Sequence, residues 1–290
     1  MLDTPINVAS VNMRKRNVIT HALLNSSPVD QVILIQELWY NKIGTTWKDD
    51  AKDGIDALGG VSSPGWEIHY LAITENKKAK VMAYTRKCSW EGINSPAIFT
   101  ATSRLDICAH PCVMVLDLTF DMTTWRLINF YNDVNDRSAL NTLLSLSLDP
   151  LVPTPVTGDF NTHSHTWSPE GIIALSWAER VEEWAVSNLL VLANEPGVIT
   201  RRGMNHEHSS TIDLTWYNDA AIEDTVFSNW MLDWEGSLGS DHTLTRVQGS
   251  LLKPTQPPQE ATDLGYVLDK KKVQSGANSL KMQLAPQPHC

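Results

Sequence analysis

Gly158-Asp159-Phe160-Asn161-Thr162-His163 is the stretch around which this chain is organised. The preceding run, Val152 to Thr157, is β-rich. Val156 and Thr157 suit a buried strand, and Pro153 and Pro155 mark its entry and an irregularity. Gly158 allows a tight turn where that strand ends. Asp159 and Asn161, two residues apart in extended geometry, can then face one way into a cleft. A carboxylate there can hold a hard cation or a water. The neighbouring amide can bind an anionic oxygen without adding negative charge. Together they suit phosphate ester chemistry. From these residues alone a surface Asx turn is the commoner reading, and the rest of the chain changes that weighting.

The chain has 290 residues, 42% of them hydrophobic, and a formal net charge of −10. That is ample for one large α/β domain and is not a disordered composition. No apolar run is long enough to cross a bilayer. Met1 to Pro5 lacks a basic-then-apolar signal, so the expectation is an intracellular location, the nucleus included, with no membrane association. Cys88, Cys108, Cys112 and Cys290 are then free thiols. Cys108-Ala109-His110-Pro111-Cys112 has no second Cys/His pair of matching spacing, so it reads as strand and turn packing. The acidic balance does not favour tight non-specific duplex binding, yet it permits a local basic patch and a metal site of clustered carboxylates.

In chain order, Ile6 to Val11 alternates as a strand ending at Asn12. A helix follows with Val18, Ile19, Ala22 and Leu23 inward, stopping near Ser26-Ser27-Pro28. Asp30 to Glu37 is a strand buried on both faces, with Glu37 at its far end. Residues 41–65, broken by glycines, read as a loop. Strands are expected at Trp66 to Ile73, Lys80 to Thr85, Val113 to Phe120 and Trp125 to Tyr131. Asp136 can cap a helix from Arg137 to Leu146. A long helix is expected over Pro169 to Asn188, with Ile172, Ile173, Leu175, Trp177, Val181 and Trp184 inward. Short strands follow at Leu189 to Ala193, Val198 to Thr200, Ser209 to Trp216, Ala221 to Ser228 and Thr243 to Val247. Residues 1–250 thus form one domain. Residues 251–290, rich in Pro, Lys and Gln, read as a disordered tail.

Polar residues fall at the expected strand ends: Asn12, Glu37, Tyr131, Asp159, Asn161, Asp213, Asp241 and His242. Each alone has an ordinary explanation as a cap, strand edge, turn or core ring. Their order and spacing resemble the endonuclease/exonuclease/phosphatase superfamily, through Ser10-Val11-Asn12, Gln36-Glu37, Tyr131, Gly158-Asp159-Phe160-Asn161, Ser210-Thr211-Ile212-Asp213 and Ser240-Asp241-His242. The details are similar to the endonuclease domain of non-LTR (LINE-type) retrotransposons, with Trp167 after Gly158 to His163, Asn129 to Asn132, and Asn12 to Asn17 in the manner of fungal members. The likeness spans roughly residues 5–248.

The resemblance implies a DNase I-like α/β fold, a four-layer sandwich of two packed, mainly antiparallel β-sheets flanked by helices. It implies a Mg²⁺- or Mn²⁺-dependent phosphodiesterase, most simply a monomer that nicks DNA. Glu37 would bind the metal, with Asn12 nearby and Asp241 sharing it. Asp159 would activate the attacking water and Asn161 would hold a non-bridging phosphate oxygen. Asp213 would fix and charge His242, which would stabilise the transition state. Tyr131 would sit by the phosphate or leaving oxygen. Ser210 and Thr200 resemble positions near the substrate backbone, and Arg201 and Arg202 could contact phosphates, although a solvated loop explains that pair equally well.

There are departures from the pattern. Arg14 stands where abasic-site endonucleases carry an aspartate, which argues against an abasic-repair role. Tyr131-Asn132-Asp133-Val134 replaces their Tyr-x-Pro-Asn. No polymerase signature follows residue 248, as for a free-standing, truncated or domesticated endonuclease domain. His163 and His165 at i, i+2 invite reading as a zinc pair, but the neighbouring ligand set is that of a hard cation. His206 and His208 fall in the loop before Ser210. Two alternatives remain open at this level: a phosphatase acting on a small phosphorylated substrate, and an inactive mobile-element remnant.

Overall fold

The computed structural model describes residues 5–26, 29–46, 55–71, 78–87, 98–121, 123–203, 208–223 and 226–251. Residues Met1–Pro254 form one compact unit. The expected tail, from 252 onward, lies outside the described residues, as do Cys88, Cys290 and His206.

Two six-stranded sheets make the body. The chain supplies β1 (Ile6–Asn12), α1 (Asn17–Ser26), β2 (Val32–Gln36), β3 (Asn41–Thr46), β4 (Ile55–Gly59), β5 (Trp66–Tyr70), β6 (Val81–Arg86), β7 (Thr100–Ser103), β8 (Val113–Phe120) and β9 (Thr123–Tyr131). It continues through α2 (Ser138–Ser145), β10 (Pro155–Asp159), α3 (Ser176–Ser187), β11 (Val191–Leu192), β12 (Asp213–Tyr217), α4 (Asp219–Ile222), β13 (Phe227–Asp233) and β14 (Leu244–Gly249). One sheet runs β13-β14-β1-β2-β6-β5, the other β11-β12-β10-β9-β8-β7. Each has a single parallel pair at its centre, β1 with β2 and β9 with β10, and is otherwise antiparallel. A parallel pair needs a crossover, supplied by α1 in the first sheet and α2 in the second.

The layers follow from side-chain alternation. Val8, Val32 and Leu34 face the core shared between the sheets. Ala9, Val11, Ile33 and Ile35 face the opposite way, onto Ile19, Leu23 and Leu24 of α1. On the second sheet, Leu140 and Leu143 of α2 and Val181 and Trp184 of α3 join the main core. The result is the expected four-layer sandwich with mainly antiparallel sheets. Among the described residues no helix is long and apolar enough to cross a membrane.

Several local expectations need correction. Residues 41–65 contain the β3–β4 hairpin, and β7 was not foreseen. Both are short and lack strong alternation. The long helix begins only at Ser176, and Ile173 and Leu175 are exposed. Pro169 and Gly171, which has φ +82°, keep the preceding segment irregular. On α1 the buried set is Ile19, Thr20, Leu23 and Leu24, while Val18 points outward. The expected strand over Ala221 to Ser228 starts only at Phe227, after α4. Val198 to Thr200 forms no strand; an isolated bridge pairs Arg201 with Ser210 and with His242.

Gly158 is not a turn residue either. It lies inside β10, opposite Phe130 and Leu214, with φ +147°. A Cβ there would stand 1.9 Å from the Phe130 carbonyl oxygen. The glycine is required by this close backbone approach, which brings Asp159 level with Tyr131. Gly158→Ala is therefore expected to lower unfolding free energy by about 3 kcal/mol or more, through combined backbone strain and overlap. Urea denaturation measures this, and a loss below about 1 kcal/mol would contradict the steric account.

Candidate active site

The two parallel pairs end at the same edge of the sandwich, and the polar residues of interest follow from that. Asn12 closes β1, Glu37 follows β2, Tyr131 closes β9 and Asp159 closes β10. Asp213 opens β12 directly opposite Asp159, and Asp241 and His242 precede β14, the antiparallel neighbour of β1. Strand carboxyl ends beside a parallel pair are where α/β sheets ordinarily place ligands.

Asn12 joins the halves. Its fully buried amide Nδ2 donates to Glu37 Oε1 at 3.0 Å and to Asp159 Oδ2 at 2.9 Å. Its Oδ1 accepts the Arg14 backbone N–H at 2.9 Å. Glu37 has φ +47° and Arg14 and Lys15 have φ +46° and +58°, so left-handed backbone clusters around this amide. Below it, Gln36 Nε2 donates to Ser10 Oγ at 3.0 Å and to Asn129 Oδ1 at 2.6 Å. Asn129 Nδ2 in turn donates to the carbonyls of Ile35 and Met82. This buried polar clasp ties one sheet to the other.

Asp213 and His242 form a closed pair, with Nδ1 2.9 and 3.0 Å from the two carboxylate oxygens. Burial disfavours the imidazolium, but Asp213 outweighs it, aided by Asp159 and Asp241, and raises the His242 pKa to about 9. Asp159 is pushed the other way for a carboxyl, up to about 7, first by burial and then by Asp213, against the opposing pull of His242 and its Asn12 and Asn161 hydrogen bonds. Tyr131 is driven well above its usual range by burial and then by Glu37 and Asp159, and it hydrogen-bonds Glu37.

Asp159, Asp213 and His242 offer ligand atoms within 4.8 Å of one another, the one such grouping found among the described residues. Both oxygens of Asp213 are already directed at His242. Glu37 and Asp159 meanwhile disfavour ionisation of Tyr131, and His242 is the cation that acts on Asp159. An oxygen-rich pocket short of positive charge fits a hard divalent cation.

Other expected site residues sit differently. Asn161 has φ +45°, not extended geometry. Its Nδ2 donates to the Asn132 carbonyl at 2.9 Å and to Asp159 Oδ2 at 3.2 Å, and its backbone N–H to Asp159 Oδ1. One amide hydrogen is thus engaged on Asp159 and the other on the Asn132 carbonyl. Thr200 is fully buried, and its hydroxyl accepts the backbone N–H groups of Ile212 and Asp213 at 3.0 and 2.9 Å. It positions Asp213 instead of lining a substrate path. Ser210 is likewise buried, paired through its backbone with Arg201. Asp241, expected to share a metal, receives Arg14 at 2.8 Å and Arg201 at 3.3 Å on Oδ2, while its buried Oδ1 has no hydrogen-bond partner. Arg202 is exposed and lies over Trp234. His163 and His165 belong to no ligand cluster among the described residues, and burial followed by Arg201 lowers the His163 pKa. Cys108 and Cys112 are buried free thiols.

Residues 125–246 match the model of a family described as Endonuclease-reverse transcriptase. That span holds Tyr131, Asp159, Asn161, Asp213 and His242 in the geometry above. Over that span the chain is similar to this family. Among solved structures it is similar to the endonuclease domain of TRAS1, a telomere-specific non-LTR retrotransposon. The identity is 15%, the TM-score 0.64, and the match covers 85% of this chain and 99% of that one. A superfamily protein from Leptotrichia buccalis matches at 11% identity and TM-score 0.48, over 83% of this chain and 98% of that one. TDP2 from D. rerio, complexed with a single-strand DNA product, matches at 11% and 0.48, over 85% and 99%. No curated protein sequence matches the chain.

The sign of the two raised pKa values gives a stability test. A group with a raised folded pKa binds more protons when folded, so stability falls as pH rises from its unfolded to its folded value. For His242 that window runs from 6.5 to about 9, and for Asp159 from 3.8 to about 7. The unfolding free energy in EDTA is therefore expected to fall between pH 6.5 and 9, by on the order of 3 kcal/mol at most from His242, and the melting temperature with it. Asp213→Asn should flatten that fall. A wild-type melting curve indifferent to pH across the window would contradict the Asp213–His242 assignment.

Proposed function

We propose that this chain is a divalent-metal-dependent endonuclease of the retrotransposon type, nicking DNA by hydrolysis of one phosphodiester bond. The observation that carries the reading is the junction at Asn12. There Glu37, from one sheet, and Asp159, from the other, meet on one amide beside the Asp213–His242 pair.

Each residue then has a task. Glu37 would hold the cation, its carboxylate oriented by the Asn12 amide N–H. When bound, the ion supplies positive charge to the phosphate. Asp159 takes the proton of the attacking water; a carboxyl near pH 7 is a base matched to neutral conditions. Its orientation comes from Asn12 and Asn161. His242 remains an imidazolium below about pH 9, and Asp213 on Nδ1 leaves Nε2–H to meet charge growing on the phosphate oxygens. Tyr131, held protonated with its hydroxyl on Glu37, would sit by the phosphate or the leaving oxygen. Water's oxygen bonds to phosphorus, the P–O bond to the leaving nucleotide breaks, and the proton goes to Asp159.

Supercoiled-plasmid nicking with and without Mg²⁺ tests the reading. Wild type should nick only with the ion. Asp159→Ala and His242→Ala should each lose about 10²–10⁴-fold. The same preparations turning over inositol phosphates while leaving plasmid intact would redirect the assignment to a small phosphate ester. Full nicking by Asp159→Ala would end it.

A further inference from the structure

The turn His110-Pro111-Cys112-Val113, which reads from sequence as packing alone, holds the segment that leaves Tyr131. Pro111 takes the second position of this turn, where its fixed φ belongs, and the Val113 N–H closes it on the His110 carbonyl at 3.2 Å. The Cys112 carbonyl accepts the Tyr131 N–H at 2.9 Å. The Pro111 carbonyl accepts the Lys80 N–H at 2.7 Å, and the Lys80 ammonium pairs with Asp133. The half-buried His110 imidazole spans the remaining gap. Its Nδ1 accepts the Cys112 backbone N–H at 3.2 Å, and its Nε2 lies 2.9 Å from Ser138 Oγ, at the start of α2. Residues 131–138 are thus gripped at both ends and at Asp133. The same segment carries Asn132, whose N–H donates to the Asp159 carbonyl and whose carbonyl accepts Asn161 Nδ2.

These contacts fix the protonation state of the ring. A backbone N–H can only donate, so Nδ1 carries no proton. The ring's one proton is then on Nε2 and is donated to Ser138 Oγ. A second proton would have to enter at Nδ1, facing the Cys112 N–H. The surroundings oppose it as well. Burial lowers the His110 pKa, Asp136 resists, and Lys80 adds to the lowering. Burial disfavours the Lys80 ammonium too, but Asp133 outweighs it, so that charge persists. The Cys112 thiol is pushed up to about 12, first by burial, and stays neutral. The first turn of α2, with its free N–H groups, is a further poor neighbour for a cation.

We propose that His110, as a neutral imidazole protonated on Nε2 alone, is a positioning residue that clamps the Tyr131–Ser138 segment, and that uptake of a second proton on Nδ1 releases the clamp. The inference rests on the phosphodiesterase reading for the role of Tyr131. The sign follows from the lowered pKa. The clamp is intact above the unfolded value of 6.5 and is lost as pH falls through the folded one. Asp159 titrates between 3.8 and about 7 with the opposite sign, so a global melting curve mixes the two and a local readout is needed.

Long-range ¹H–¹⁵N spectra of ¹⁵N-histidine protein in EDTA read the ring directly, and the signal missing from His110→Asn identifies it. At about pH 7.5 His110 should carry its proton on Nε2, and an Nδ1–H tautomer would overturn the clamp. Amide hydrogen exchange at Cys112 and Tyr131, corrected for intrinsic rates, reads the release. His110→Ala should lose about 2–10-fold of protection at both, the effect of one hydrogen bond. Wild type should hold its protection at about pH 7.5 and fall to the His110→Ala level by about pH 5. His110→Asn offers Oδ1 to the N–H two residues on, as asparagine does in turns, and does not titrate. It should keep protection at both pH values. Wild-type protection indifferent to pH, or falling equally in His110→Asn, would sink the release. At about pH 8, with Asp159 ionised, kcat should drop about 10-fold in His110→Ala at unchanged KM and recover in His110→Asn. An undiminished kcat in His110→Ala would overturn the positioning role. Should His110→Ala not fold, the ring spectrum and His110→Asn still decide. Exchange as expected in a wild type that hydrolyses neither plasmid nor bis(p-nitrophenyl) phosphate would end the enzymatic reading and leave the clamp standing.

Discussion

The side-chain amide of Asn12 spans the seam between the two sheets. It donates at once to Glu37, beyond one parallel pair, and to Asp159, at the end of the other. Two carboxylates from opposite sheets would otherwise repel across a buried gap, and an amide is the neutral group that can satisfy both. The same residue's Oδ1 shapes the basic turn, and its carbonyl accepts Ser240. Four segments of chain are thereby held in register by one residue without exposure to solvent. A leucine of similar volume would leave two acceptors unsatisfied, at about 1–3 kcal/mol each.

One layer below, Gln36 and Asn129 repeat the device. Sheet-on-sheet packing through aliphatic side chains is non-directional and tolerates sliding. Buried amides hydrogen-bonded across the interface do not, because a shift of an ångström breaks every bond in the network. Positioning of Asp159 against Glu37 therefore depends less on the apolar core than on these few amides. Gly158 sets the remaining coordinate, since only a residue without Cβ lets β10 approach Phe130 closely enough to bring Asp159 level with Tyr131.

Much of this was legible from residue order alone. Strands such as Val113–Phe120 declare themselves by composition, and the four-layer sandwich follows from the family pattern. Glu37, Asp159, Asp213 and His242 could be picked out because strand ends collect polar residues where a site needs them. What could not be read was direction. Asn161 carries the right amide, but its left-handed backbone turns both hydrogens inward, and no periodicity reports a φ of +45°. Thr200 has a substrate-like hydroxyl, and the two backbone N–H groups that claim it come from residues twelve and thirteen positions away. Asp241 illustrates the same limit. Whether a carboxylate meets an ion or a guanidinium depends on which loop folds over it, and Arg14 lies 227 positions upstream.

That exchange has a physical consequence for the site as a whole. Both arginines fall on Asp241 Oδ2 and Asp213 is committed to His242, so Asp241 Oδ1 is left buried without a hydrogen-bond partner. A small, hard-oxygen donor set would leave a cation most of its own waters, as magnesium prefers. Arg14 and Arg201, drawn onto Asp241, keep their charge beside that set without entering it.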